Sequence, residues 1–161
     1  MKDLKVSKNF YLWEFVPPDI YKKYGESSVW FVDTGLIFLC QFFRDDLDRP
    51  ININTYKNYA DESGFTDSGF RSYRSKVGGV LSQHRFGRGG DLKVDGLDYE
   101  ELREYVRKNW VKFKAAGLTT IEKNTESWLH IDKRPTNSDK LFEVSYKKKV
   151  KKIHAGHTQN V

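Results

Sequence analysis

Two short segments carry most of the chemistry open to this chain: Ser82-Gln83-His84-Arg85-Phe86-Gly87-Arg88-Gly89-Gly90-Asp91 and Trp128-Leu129-His130-Ile131-Asp132. They offer two imidazoles and a carboxylate, the ligand set of an open zinc site with a fourth position left for water. Two nitrogens and one oxygen suit Zn²⁺, whereas Ca²⁺ or Mg²⁺ would call mainly for oxygen ligands. His84 and Asp91 lie seven residues apart, with Gly87, Gly89 and Gly90 between them. On a helix they would share a face, but three glycines in four residues argue against a helix. The expectation is a loop folding back so that both side chains meet one ion, with glycine permitting the backbone angles. His130 sits in an alternating run in which Trp128, His130 and Asp132 share one face of a strand. This is the donor set of a metallohydrolase.

Three protein ligands would let zinc lower the pKa of its bound water and polarise a carbonyl. A carboxylate must still move the water proton to the leaving group. By position Glu126 is the first candidate and Asp132 the second, with Glu122 third. Asp132 has an alternative role as the partner that orients a histidine. Trp128 reads either as a wall beside the site or as plain core.

The local sequence around these residues resembles the M15 family of zinc D-Ala-D-Ala peptidases. The resemblance is carried by Ser-x-His-x-x-Gly-Arg-x-x-Asp at Ser82–Asp91, and by the aromatic-x-His-x-Asp strand that follows some forty residues later. Ser68-Gly69-Phe70-Arg71 stands where the family has Ser-Gly-Tyr-Arg, and Val77-Gly78-Gly79 and Gly117-Leu118 also match. The similarity runs from about Ser68 to Arg134, and more faintly back to Phe10. It implies zinc held by His84, Asp91 and His130, and peptidoglycan stem peptides as substrate. Arg71 would stabilise an oxyanion or pair with a substrate carboxylate, against the alternative that it ties down its own loop. Ser82 would lie in the substrate cleft, against the alternative of a turn residue. Where many members carry an acidic residue three before the second histidine, this chain has Ser127, with Glu126 adjacent. Ser127 supports a rival reading in which the zinc fold has lost catalysis and serves as a wall-binding or virion structural component.

Composition sets the frame for these residues. At 161 residues the chain is expected to form a single domain over 1–146 with a basic tail at 147–161, and a domain of this size buries about two thirds of its surface. Aromatic residues make up 15%, so Phe, Tyr and Trp should dominate the core. No apolar run reaches the roughly 18 residues of a membrane span, and Met1–Val6 has neither the apolar stretch nor the cleavage site of a signal peptide. The single Cys40 excludes an intrachain disulfide, which suits synthesis in a reducing cytoplasm; within Leu36–Cys40 it reads as a buried, inert thiol. The net charge of +6 owes much to five lysines in Lys147–Lys152, without which the chain is nearly neutral. That tail either binds an anionic wall polymer or nucleic acid, or is simply solvated; nucleic-acid binding as the main function rests on it alone. His154 and His157 belong to the same tail. Small size, the expected lack of a secretion signal and the basic tail resemble phage-encoded lytic enzymes, which reach the bacterial cell wall through a holin or within the virion.

The elements that must position the site follow from periodicity. Helical spacing over Val29–Leu47 predicts one helix, closed by Asp48-Arg49-Pro50. Ile51–Tyr56 alternates as the first strand. Residues 57–81, rich in Gly, Ser and Asp, predict a long loop, which is uncommon unless functional. A strand over Asp91–Val94 leads to Asp98, which should cap a helix over Tyr99–Ala115 stopped by Gly117. Leu118–Ile121 and Ser127–Asp132 read as a hairpin pair and Leu141–Tyr146 as a last, edge strand. The sum is an α+β fold: a small, mostly antiparallel sheet flanked by helices.

Overall fold

The computed structural model describes residues 3–59 and 64–145. The lysine run Lys147–Lys152, with His154 and His157, lies outside the described residues. Among the described residues the expected α+β architecture is present: four α-helices and a five-stranded sheet. The helices are α1 (Pro18–Tyr24), α2 (Thr34–Leu47), α3 (Tyr99–Lys108) and α4 (Trp110–Ala115). The strands are β1 (Ile51–Asn52), β2 (Gly89–Val94), β3 (Thr120–Glu122), β4 (Leu129–Asp132) and β5 (Phe142–Val144). Sheet order is β1-β2-β4-β3-β5, antiparallel throughout except for the parallel β3–β5 pair, so β5 is an edge as expected. No helix among the described residues is long and apolar enough to cross a membrane.

Alternation divides the two faces of the sheet. Leu92, Val94, Ile121, Leu129 and Ile131 join Leu36, Phe43, Leu102, Val106 and Phe113 in one core under α2 and α3. Phe10, Phe15, Phe43 and Phe113 are among its largest fully buried side chains, as the aromatic content predicts. Cys40 is buried there too. The opposite face of β2 and β4 carries Asp91, His130 and Asp132. In the β2–β4 ladder Asp91 lies directly across from His130, which brings two residues 39 positions apart within side-chain reach.

Local boundaries depart from the periodic reading where a polar side chain takes over the backbone. The helix expected over Val29–Leu47 is split into a 3-10 helix, Gly25–Phe31, and α2. Asp33 is extended and accepts the Gly35 N–H at 2.7 Å, starting a new helix. Asp98 caps α3 as expected, accepting from Glu100 and Glu101. The helix it starts is interrupted at Asn109, whose side-chain amide donates back to the Tyr105 carbonyl. The strand expected over Ile51–Tyr56 ends at Asn52, because Asn54 is drawn inward. Its amide donates to the Val16 carbonyl at 3.1 Å, and its Oδ1 accepts the Ser68 N–H at 2.9 Å. That buried link ties the N-terminal segment to the loop that carries Arg71. The single loop expected between His84 and Asp91 is instead a 3-10 turn, Gln83–Phe86, a left-handed Gly87 (φ +67°), and the start of β2 at Gly89. Gly87 is required there both by its φ and because a Cβ would collide with the Phe31 carbonyl.

Candidate metal centre

The turn Gln83–Phe86 presents His84, β2 presents Asp91, and β4 presents His130; all three side chains are buried. Their ligand atoms converge. His84 Nε2 is 3.2 Å from His130 Nδ1 and 3.3 Å from Asp91 Oδ1, and His130 Nδ1 is 2.8 Å from Asp91 Oδ1. Ligands about 2.0–2.1 Å from an ion at tetrahedral angles stand roughly 3.3 Å apart, so this triangle is of the size that such an ion needs. The group can hold a metal ion.

Each ligand is fixed from behind. Nδ1–H of His84 donates to the Gly69 carbonyl at 2.7 Å, which leaves the Nε2 lone pair facing the centre. Gly69 itself is packed on the Phe15 backbone, where a Cβ would collide with the Phe15 carbonyl. Nε2–H of His130 donates to Asp132 Oδ2 at 3.1 Å, which turns Nδ1 inward. Arg71 Nη2 donates to Asp91 Oδ2 at 2.6 Å, so that Oδ1 is left toward the histidines. This outer ring of partners sets tautomer and orientation, as in metal sites generally.

Burial and two carboxylates, each also paired with an arginine, set the electrostatics of the centre. Burial lowers the pKa of His84 against the opposing pull of Asp91. Burial would raise Asp91, but His84 and His130 outweigh it and hold the carboxyl well below its usual range. Burial disfavours charge on His130 too, yet its hydrogen bonds with Asp132 and Asp91 prevail and lift it to about 9. Asp132, despite burial, is held at about 2 by His130 and Arg134. A proton or a metal ion can therefore satisfy the space between His130 Nδ1 and Asp91 Oδ1, and binding of a metal there releases the proton.

The centre opens onto a cavity of about 410 Å³, within the usual size range of ligand sites. Arg71, Ser82 and Trp128 line it, together with Glu122 and Arg134. Asp132 is fully buried behind His130, with both oxygens engaged by Arg134 and His130. Glu126 is exposed in the loop between β3 and β4, outside the cavity lining. Glu122, the third-ranked carboxylate, stands on the cavity, half-buried, and burial raises its pKa. The signal for it was parity: Glu122 follows the core residue Ile121, which pairs with Ile131, so it falls on the His130 side of the sheet. Counting residues back from His130 could not supply that register. The loop residues Val77, Gly78, Gly79 and Leu81, which complete the wall, were also not singled out individually as site residues. Compared with protein-family models, curated proteins and solved structures, the chain matches none of them.

Proposed function

We propose that this protein is a zinc-dependent hydrolase that cleaves a peptide bond next to a D-amino acid in peptidoglycan stem peptides, as a phage-encoded enzyme acting at the bacterial cell wall. The observation that carries the hydrolase reading is the convergence of His84 Nε2, Asp91 Oδ1 and His130 Nδ1 on one point at the floor of a cavity that also holds a carboxylate and a guanidinium. The substrate class and origin rest on the resemblance of Ser68–Arg134 to the zinc D-Ala-D-Ala peptidases.

His84, Asp91 and His130 would hold the ion, which when bound supplies Lewis-acid polarisation of a carbonyl and activation of water. Glu122 takes the proton of the attacking water and passes it to the leaving amine; its raised pKa suits a group that must both accept and donate. Glu126 is the competing base, reached only if its loop bends inward. Asp132 keeps the His130 Nδ1 lone pair aimed at the centre. Arg71 is anchored by Asp91 and the Asp67 carbonyl, with Nη1 near Gly78 on the cavity side. From there it can donate to the oxygen that gains charge in the tetrahedral intermediate. Ser82 and Trp128 form parts of the substrate wall.

The test is incubation of the zinc-loaded protein with purified peptidoglycan, with detection of newly released amines and a chelator control. Chelator-sensitive release supports the reading. Fully loaded protein that releases none favours the second reading, a non-catalytic wall-binding or virion component, for which Ser127 is the supporting feature.

A further inference from the structure

Residues 72–82 form neither helix nor strand, yet Val77, Gly78, Gly79, Leu81 and Ser82 make one wall of the metal cavity. The segment has little apolar anchoring of its own, since Val80 and Leu81 are 82% and 79% exposed. Ser75 Oγ–H donates to Asp67 Oδ1 at 2.8 Å, and one guanidinium holds three of the segment's carbonyls. Arg85 Nε donates to the Gly79 carbonyl at 3.2 Å, Nη1 to Ser72 at 3.2 Å and Nη2 to Ser75 at 3.1 Å. The planar fork of arginine can reach three carbonyls at once, which a lysine ammonium on its single point cannot reproduce. Arg85 also shares the Gln83–Phe86 turn with His84, so the wall and a ligand of the centre are referenced to the same short element. Val77 lies at a junction: it lines the metal cavity, a groove of about 410 Å³ with Phe65, Lys93 and Ser127, and another of about 380 Å³ with Pro17 and Lys76. A peptide reaching from the metal cavity into either groove would contact it.

We propose that Arg85 is a positioning residue: by tying Ser72, Ser75 and Gly79 to the turn that carries His84, it fixes the wall of the metal cleft and governs how an extended peptide is held. Its kinetic consequence rests on the hydrolase reading above; the tie itself does not. The experiment uses the zinc-loaded full chain with Arg85→Ala and Arg85→Lys, measuring amide exchange, bound zinc, and binding and turnover of a purified stem peptide. Exchange over 72–82 should accelerate about tenfold or more, with the sheet unchanged. Zinc should stay at one per chain. Dissociation constant and KM should rise, with kcat/KM falling about 10–100-fold. The lysine variant should fall between wild type and alanine. Unchanged exchange over 72–82, acceleration spread through the whole sheet, loss of zinc, or a loosened loop with unaltered peptide binding would each overturn the proposal. If wild type binds the peptide but cleaves nothing, the hydrolase reading falls, and exchange and binding still decide the role of Arg85.

Discussion

Metal-dependent stability offers the most direct test of the centre, because the three ligands come from elements that only the folded chain brings together. Zinc held at about a thousand times its dissociation constant stabilises the folded state by roughly 4 kcal/mol. For a chain of this length each kcal/mol moves Tm by about 2–4 °C, so wild type should melt about 8–16 °C higher in zinc than in chelator. His84→Ala removes the Nε2 ligand and leaves the Gly69 carbonyl without its donor. The orphaned carbonyl costs about 1–3 kcal/mol, but it does so with or without metal. The zinc-minus-chelator difference therefore isolates coordination, and in His84→Ala it should fall to nearly zero. Asp132→Asn leaves the three ligands in place but weakens the partner behind His130, along with the Arg134 ion pair. Loss of such a partner reduces metal affinity about 10–100-fold, or roughly 1.4–2.7 kcal/mol, which should remove about 3–11 °C of the shift. Differential scanning fluorimetry with parallel metal analysis reads all three proteins. Either a wild type whose Tm ignores chelator, or a His84→Ala protein that keeps the full shift, would refute the assignment.

Glu122→Gln should lower turnover by about two to four orders of magnitude with zinc still bound, while Glu126→Gln stays at the wild-type level; the reverse result in steady-state kinetics would move the base to the β3–β4 loop. Phe113 is fully buried against Phe42, Phe43 and Tyr105, so Phe113→Ala should cost about 3–5 kcal/mol in urea unfolding, and a loss under 1 kcal/mol would mean that this part of the core is loosely packed. Burial lifts Glu14 from 4.5 to about 7 against the opposing Tyr11 N–H, so its contribution to stability is full below pH 4.5 and is lost as pH rises through 7. Relative to wild type, Glu14→Gln should therefore gain stability between pH 5 and pH 8, and a relative loss over that interval would contradict the burial argument.

Much of the chemistry was legible in the chain because it is local. The paired segments around His84–Asp91 and His130 announced a nitrogen-and-oxygen donor set, alternation in Trp128–Asp132 placed His130 and Asp132 on one strand face, and Asp98 and Gly117 marked the outer ends of the segment that forms α3 and α4. What lay outside the sequence were the non-local choices. Asn54 ends a strand by bonding to Val16 and Ser68, partners far away in the chain, whereas Asp33 and Asn109 break helices through local bonds to Gly35 and Tyr105 that apolar spacing does not register. Strand register is likewise a property of pairs: only the antiparallel β2–β4 ladder sets Asp91 opposite His130, and only the β3–β4 ladder brings Glu122 rather than Glu126 to the cavity. Residue types and short spacings encode which donors exist; which of them meet depends on contacts between residues tens of positions apart, and those are decided by packing in three dimensions.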